Sequence, residues 1–336
     1  MARRVRGPVL AVAAVHLLEN SLRLKNRVIG KGWHADPMRH FDAGGIDEAE
    51  QQCLSASEDF LSFIRPPADL RPSNATVGKT FLSFDSPLPS GRAANDRVVA
   101  RIVPCAHPRR DRKAIVFHHA LLQKHWPVWE WFVAPLARRY PVVILAAPYH
   151  FDRTPPGEYP SEGMVNPNPW RLYQALRQWA WDHKALMNGM EELTGLEPAA
   201  VVGFSLGAFN SLLAAATGSL EGLPIAAIAT TNRYAHGLFE GALGAGTVDG
   251  MRRAGIGRER LERMVDAIQL ERYAPALAGR PVLFIAGRHD RVDPAPSSER
   301  LERALAPKRS IWLEAGHSTV ALRRERVGRE ILEFLE

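Results

Sequence analysis

The pentapeptide GFSLG at residues 203–207 has the residue types and spacing that most directly predict chemistry in this chain. It follows a buried β-branched run and precedes an apolar, alanine-rich segment. Gly-x-Ser-x-Gly between a strand and a helix is typical of a nucleophile elbow, a sharp turn that exposes a serine hydroxyl. Glycine on both sides leaves room for the neighbouring strand and helix and tolerates the backbone angles of such a turn. We therefore predict a nucleophilic Ser205; the alternative is a serine that only caps a helix.

Two later loops carry groups that would complete this chemistry. Segment 287–294, GRHDRVDP, follows one predicted strand, and segment 314–318, EAGHS, follows the last. In parallel sheets, ligands meet the carboxyl ends of the strands. The chain order serine, aspartate, histidine is the order expected when an elbow serine works with these two groups. Asp290 and Asp293 are both candidates for the acid, and Asp290 could instead cap the next helix.

Buried, non-alternating strands alternate with helices along the chain. This pattern predicts an α/β fold with a mostly parallel central sheet and helices on both faces. The predicted strands are 80–86, 97–103, 114–117, 142–146, 199–202, 224–230, 281–286 and 310–313. The predicted helices are 47–64, 127–139, 170–193, 206–217, 258–270, 298–306 and 322–335.

The domain organisation predicted from these elements has two parts. Residues 1–75 are interpreted as an N-terminal helical extension, and residues 76–336 as the main domain. The proline- and glycine-rich stretch after the strand at 142–146 has no visible period, and long loops of this kind are commonly functional. We therefore predict a lid insertion near 149–185.

Over roughly residues 80–336 the chain resembles the α/β-hydrolase superfamily of serine hydrolases. The spacing of His118, Ala120, His125 and Trp129 resembles a subgroup of it, the α/β-hydrolase domain-containing 18-like proteins. The resemblance implies the α/β-hydrolase fold with a small cap. The superfamily pattern Gly-x-x-Asp-x-x-x-Pro selects Asp290 over Asp293 as the acid.

The pattern Gly-His after the last strand selects His317 as the base, and acyl transfer is the mechanism that this resemblance implies. His317 would take the proton of Ser205, and Asp290 would orient the imidazole. The expected activity is cleavage of a carboxylic ester, a thioester or a lipid acyl ester through an acyl-enzyme, without a cofactor. Apolar residues of the predicted lid favour a hydrophobic substrate: Met164, Val165, Trp170 and Leu172.

An oxyanion hole needs two N–H donors, of which Leu206 supplies the first. The second comes from the loop after strand 114–117, where the superfamily often has His-Gly-x. Here the loop reads HHAL at 118–121, so Ala120 and Leu121 both remain candidates. His119 and Tyr149 are candidate substrate contacts, although packing roles are open for the histidines. The histidine spacings match no standard metal motif, so no metal is predicted.

Composition limits the partners. The formal net charge is +7, but the cations are mixed with acids along the whole chain, which argues against nucleic-acid binding. Two cysteines, Cys53 and Cys105, indicate a reducing, cytoplasmic location. A basic start followed by the short apolar run 8–18 predicts an amphipathic helix docked on the domain; membrane-surface attachment is the alternative. No stretch is long enough to cross a bilayer.

The partner expected from these features is a small-molecule or lipid-like ester. Two rival functions remain: a catalytically silent ligand-binding or scaffolding protein of the same fold, and a peripheral membrane lipase. The sequence does not predict the oligomeric state.

Overall fold

The computed structural model describes residues 36–107, 112–220, 222–239 and 245–336, so the helix predicted in the first 30 residues lies outside it. The described residues form one mixed sheet with the strand order β1-β2-β3-β5-β4-β6-β7-β8-β9. The strands are β1 Ser73–Val77, β2 Phe81–Asp85, β3 Arg97–Val103, β4 Lys113–His118, β5 Val142–Leu145, β6 Glu197–Phe204, β7 Ile225–Ile228, β8 Val282–Gly287 and β9 Arg309–Leu313.

The sheet is parallel where the sequence predicts buried strands. Strands β4 to β9 all run parallel to one another. Strands β1, β2 and β3 form an antiparallel extension that joins β5. Every residue of β5, β7 and β8 is buried, as expected for strands covered on both faces. The predicted fold class, α/β with a mostly parallel sheet, is confirmed.

Helices cover both faces of this sheet. They are α1 Gly45–Glu58, α2 Phe60–Ile64, α3 Trp126–Val133, α4 Pro169–Thr194, α5 Leu206–Ala216, α6 Tyr234–Phe239, α7 Ala245–Arg253, α8 Arg258–Met264, α9 Ala295–Leu305 and α10 Arg324–Leu335. Successive strand residues point to opposite faces, so Val116 packs in the core beneath α4 and α5, whereas Phe117 packs against Trp129 and Phe132 of α3. In the described ranges, no helix combines the length and the apolar character needed to cross a membrane.

The N-terminal helices pack on α4. Phe60 meets the ring of Tyr173 edge-on at 5.4 Å between centroids, and Ser57 shares a 2.8 Å hydrogen bond with the Tyr173 hydroxyl. The single helix predicted at 47–64 is divided at Asp59, whose backbone leaves the helical region and whose carboxylate caps Ser62. The predicted domain boundary at 75 falls inside strand β1, and both the domain division and the lid near 149–185 stay predictions.

Other differences from the predicted elements have local causes. The helix predicted at 127–139 ends at Val133, because Pro135 cannot donate an N–H to a continuing helix. The helix predicted at 258–270 ends at Met264. Strand β1 was not predicted, because all five of its residues are exposed at the sheet edge and show no apolar alternation. The same topology brings the ends of β6, β8 and β9 to one edge of the sheet, where the predicted catalytic residues follow them.

Candidate active site

Ser205 occupies the turn between β6 and α5 with an unusual backbone. Its φ is 54° and its ψ is −115°, outside the regions that a residue with a side chain readily adopts. Its N–H donates to the carbonyl of Ile228 on β7 at 2.8 Å. Positive φ at a serine is costly and is held only when the surrounding structure enforces it. The elbow predicted from the pentapeptide is therefore present as a strained turn.

The two glycines of the pentapeptide are required by close packing. A Cβ on Gly203 would lie 2.5 Å from backbone atoms of Ala208, and a Cβ on Gly207 would lie 2.1 Å from the carbonyl oxygen of His118. Neither contact could be relieved by moving a side chain, because both involve backbone atoms. The elbow therefore places the start of α5 directly against the end of β4.

A chain of two hydrogen bonds leads away from Ser205. The Ser205 Oγ lies 2.7 Å from Nε2 of His317, and Nδ1 of His317 lies 2.8 Å from Oδ2 of Asp290. All three residues are buried, and the His317 and Asp290 side chains are 5% and 2% exposed. With Nδ1–H donating to the carboxylate, Nε2 has the lone pair that accepts the serine proton. The structure thus brings together the three residues predicted to act in series.

Asp290 and Asp293 have different partners. The second oxygen of Asp290 accepts the backbone N–H groups of Val292 and Asp293 at 2.8 and 2.9 Å, which holds its carboxylate in place. The carboxylate of Asp293 instead accepts the Ser298 hydroxyl at 3.0 Å and the backbone N–H of Asn232 at 3.3 Å. Burial, with a smaller contribution from Asp290, raises the pKa of Asp293 to about 6. Asp290 is therefore the acid that contacts His317, and Asp293 braces the loop.

The acid loop and the histidine loop pack against each other. A Cβ on Gly287 would lie 2.5 Å from the carbonyl oxygen of Ala315, so the two loops touch through backbone. The N–H of Gly316 donates to the Thr319 hydroxyl at 2.8 Å, and the His317 ring meets Phe204 edge-on at 6.2 Å. Backbone contact of this kind fixes the separation of the acid and the base.

The candidate oxyanion donors lie on two segments that touch. Leu206 is the first residue of α5, and Ala120 and Leu121 follow β4. The carbonyl of Ala120 accepts Nδ1 of His119 at 2.7 Å, and the carbonyl of Leu121 accepts the Gln123 amide at 2.7 Å. Both peptides are thereby anchored through their oxygens. Leu206 as first donor and Ala120 or Leu121 as second donor stay predictions.

Comparison with known proteins agrees with the fold described above. A family model described as alpha/beta hydrolase fold matches residues 113–254. The chain has the α/β-hydrolase fold. The matched segment covers less than half of the chain, so what the match shows is the fold. The match spans β4, the elbow and β7 but ends before the loops of Asp290 and His317.

Several solved structures resemble the chain at low identity. TT1662 from Thermus thermophilus is 20% identical with a TM-score of 0.52, over 71% of this chain and 94% of that one. A carboxyl esterase from Bacillus coagulans is 13% identical with a TM-score of 0.51, over 77% and 100%. The acylaminoacyl peptidase of Pyrococcus horikoshii is 15% identical with a TM-score of 0.53, over 76% of this chain but 41% of its own length.

No curated protein matches the chain. The comparisons therefore give no support to the narrower resemblance to α/β-hydrolase domain-containing 18-like proteins, and what they show is the α/β-hydrolase fold.

His119, predicted as a substrate contact, has a different environment in the structure. It is fully buried, its Nδ1 donates to the Ala120 carbonyl, and its Nε2 accepts the N–H of Ala147 at 2.9 Å. Burial holds the pKa of its imidazole well below the usual value, so the ring is neutral. With both nitrogens bonded to backbone, His119 ties the loop after β4 to the loop after β5. Substrate contact by His119 stays a prediction.

The three histidines near the oxyanion loop diverge. His118 is buried toward α4 and α5, His119 bonds the β5 loop, and His125 is exposed at the start of α3. Among the described residues, no group of three histidine, cysteine or acidic side chains could hold a metal ion.

Tyr149 lies in the loop after β5 with a φ of 64° and is 6% exposed. Its N–H donates to the Asn95 side chain at 2.8 Å, and its carbonyl accepts the N–H of Ser161 at 2.6 Å. Its side chain lines two clefts of about 180 and 210 Å³ whose walls do not include Ser205, Asp290 or His317. Substrate contact by Tyr149 stays a prediction.

Three residues of the predicted lid segment belong to the interior. Arg153 is fully buried, pairs with Asp182 at 2.8 Å and donates to the carbonyl of Asn95. Met164 and Leu172, two apolar residues of the predicted lid, are buried in the hydrophobic core. Sequence reasoning missed the Arg153–Asp182 pair because the two residues lie 29 positions apart and neither belongs to a motif.

Proposed function

We propose that this α/β-hydrolase is a serine hydrolase that cleaves a carboxylic ester through an acyl-enzyme intermediate. The observation that carries the proposal is the hydrogen-bonded series from the Ser205 hydroxyl through His317 to the Asp290 carboxylate, at a strained turn. A serine hydroxyl is a weak nucleophile unless a neighbouring base accepts its proton, and this arrangement provides that base.

In the proposed first step, the Ser205 oxygen attacks the ester carbonyl while Nε2 of His317 takes the hydroxyl proton. The carbonyl oxygen becomes an oxyanion, stabilised by the N–H of Leu206 and by a donor from the loop after β4. Collapse breaks the bond to the leaving alkoxide, and His317 returns the proton to that oxygen. Asp290 stabilises the imidazolium while it exists.

In the second step, water replaces the alcohol. His317 removes a proton from the water, the resulting hydroxide attacks the acyl carbonyl, and collapse returns the proton to Ser205. A free acid leaves, and no cofactor takes part. The carboxyl esterase and the acylaminoacyl peptidase named above support a substrate with an acyl carbonyl, of which the ester is the simplest. Thioesters and lipid acyl esters belong to the same proposal.

Hydrolysis of p-nitrophenyl esters graded from acetate to laurate tests the proposal. We expect wild-type turnover with a burst of p-nitrophenol, and a loss of at least about 10⁴-fold in kcat for Ser205→Ala. Ser219→Ala is the matched control, because Ser219 is also a buried serine and bonds only within the far end of the α5 segment. Equal activity of Ser205→Ala and wild type would exclude the proposal.

The two rival functions can be separated from the proposal by ester hydrolysis and by binding to vesicles. A catalytically silent binding protein would bind esters without releasing alcohol from any of them. A peripheral lipase recruited by its N-terminus would lose binding to anionic vesicles when residues 1–30 are deleted, whereas the proposal of a cytoplasmic enzyme expects unchanged binding. Cys53 and Cys105 are free thiols, which supports a reducing compartment. The resemblance to the 18-like subgroup remains a prediction that rests on four residues near 118–129.

A further inference from the structure

A buried hydrogen-bond chain connects the end of β4 with the first turns of α5. His118, the last residue of β4, lies 2.9 Å through Nδ1 from the Ser211 hydroxyl and 2.9 Å through Nε2 from Nδ1 of His183. The Ser211 hydroxyl in turn lies 2.7 Å from the carbonyl oxygen of Gly207. His118, His183 and Ser211 are at most 1% exposed. None of these three side chains belongs to the proposed series of Ser205, His317 and Asp290.

The carbonyl of Gly207 fixes the direction of donation along the chain. Because a carbonyl can only accept, the Ser211 hydroxyl donates its one proton to Gly207 and must accept a hydrogen bond from His118. His118 therefore carries its proton on Nδ1, and its Nε2 accepts from Nδ1–H of His183. Burial, and to a smaller extent the neighbouring His183 and His119, hold the pKa of His118 well below the usual value. The ring is neutral and keeps one defined tautomer.

These hydrogen bonds span the junction between the end of β4 and the start of α5, the two segments that hold the proposed oxyanion donors. A Cβ on Gly207 would lie 2.1 Å from the carbonyl oxygen of His118 and 2.7 Å from that of His119, so α5 and the end of β4 touch through backbone. One side of the junction begins with Leu206, and the other continues into Ala120 and Leu121. The His118 side chain is bonded across it, one turn into α5.

We propose that His118 is a positioning residue that sets the separation of the two oxyanion donors by holding Ser211, and through it Gly207, against the end of β4. The proposal rests on the serine-hydrolase function proposed above. A displacement of about 1 Å in a catalytic group can cost about 100-fold in rate, so a bond across this junction affects kcat although His118 does not touch substrate.

Two substitutions of His118 separate its two bonds. His118→Asn places an amide nitrogen near the position of Nδ1 and keeps the bond to Ser211, whereas His118→Gln reaches toward His183 and loses it. We expect His118→Gln to lower kcat by about 10- to 100-fold with KM changed less than about 3-fold. His118→Asn should act as a conservative rescue, with a loss of less than about 3-fold. Ser211→Ala, a smaller change that removes the same bond from α5, should follow His118→Gln.

Thr217→Val is the control for a loss of protein stability that leaves the oxyanion donors in place. Thr217 is a buried hydroxyl residue at the other end of α5, and like Ser211 it bonds back to a carbonyl of its own helix. Its variant should lose thermal stability with kcat retained. Inhibition by an alkyl boronic acid, which forms a tetrahedral adduct with the serine, gives a second readout. Its affinity should weaken in parallel with kcat/KM for His118→Gln and Ser211→Ala.

The outcomes decide between positioning and structure. Wild-type kcat and boronate affinity in both Ser211→Ala and His118→Gln, or equal losses in His118→Asn and His118→Gln, would overturn the proposal. If His118→Gln does not fold, Ser211→Ala against Thr217→Val decides alone. Failure of the proposed function itself looks different, because the wild type would then neither hydrolyse esters nor bind the boronic acid.

Discussion

Two regions on opposite sides of Ser205 contain buried histidines, and they differ in whether a carboxylate is bonded to the imidazole ring. The histidine flank consists of His118, His119, His150 and His183, around the ends of β4 and β5 and on α4. The carboxylate flank consists of Asp290, Asp293 and His317, in the loops after β8 and β9. On the sheet, β4 borders β6 on one side, and β7 separates β6 from β8 and β9 on the other.

Among the described residues, no carboxylate is hydrogen-bonded to the histidine rings of the first flank. Each bonds backbone, a hydroxyl or another imidazole, and burial lowers the pKa of all four. On the second flank, His317 has the Asp290 carboxylate at 2.8 Å. A carboxylate beside a histidine stabilises the protonated ring that general-base catalysis requires. In the proposed mechanism, the neighbouring carboxylate distinguishes His317, which exchanges protons, from the four buried histidines, which bond backbone groups, a hydroxyl or each other.

The largest difference should appear between the two aspartates. Asp290→Asn should lower kcat by about 10⁴-fold, because the amide favours the wrong tautomer of His317. Asp293→Asn should stay within about 3-fold, since its backbone N–H, which braces Asp290, is unchanged. Steady-state kinetics of the two variants on one ester measure this contrast. Equal losses in the two variants would contradict the assignment of Asp290, rather than Asp293, as the acid that orients His317.

The next effect concerns the buried pair beside the histidine flank. Asp182→Ala should lower the free energy of unfolding by about 3–5 kcal/mol, because Arg153 is left buried without its countercharge. The exposed pair Arg138–Glu325 is the control, and Glu325→Gln should change stability by less than about 1 kcal/mol. Denaturant unfolding at neutral pH gives both values. A small loss in Asp182→Ala would show that Arg153 reaches water.

Acid should destabilise the histidine flank. Burial lowers the pKa of His150 to about 4 and that of His183 to about 3, below the ordinary value of 6.5. The unfolded chain binds more protons there, so stability present above pH 6.5 is lost as the pH falls toward 4. His150→Asn should lose about 2 kcal/mol less than wild type between pH 7.5 and pH 5. If the free energy of unfolding falls equally with pH in the two proteins, His150 is in contact with solvent.

Asp293 should respond in the opposite direction. Its pKa is raised to about 6 from 3.8, so the folded chain binds more protons and stability falls as the pH rises from about 4 to 6. Asp293→Asn lacks this loss and should gain up to about 2–3 kcal/mol relative to wild type across that window. Unfolding free energies at pH 4.5 and 7.5 test it. If the unfolding free energies of the two proteins differ by the same amount at both pH values, the pKa of Asp293 is not raised.

The sequence predicts the carboxylate flank better than the histidine flank, for a physical reason. Asp290 and His317 follow buried strands in motifs of fixed spacing, so their meeting with Ser205 could be predicted from the topology of a parallel sheet. The partners of His118 and His119 are a hydroxyl, another imidazole and backbone groups, which no spacing specifies. His119 was accordingly predicted to contact substrate, whereas its two nitrogens hold the loops after β4 and β5 together.

The same contrast applies to the fold. Strands buried on both faces, such as β5 and β8, are recognisable from continuous apolar runs. Strand β1 is exposed and polar, and its pairing with β2 depends on the neighbour rather than on its own residues. The buried pair of Arg153 and Asp182 likewise follows from packing of the loop after β5 against α4, which no local pattern encodes.

Mapping the adduct of a fluorophosphonate probe by peptide mass spectrometry tests the central claim most directly. The probe phosphonylates a serine only when a neighbouring base activates its hydroxyl. We predict one adduct on Ser205 in the wild type, none in Ser205→Ala, and an unchanged adduct in Ser219→Ala. A folded wild-type protein that carries no adduct, or one at another serine, would contradict the account.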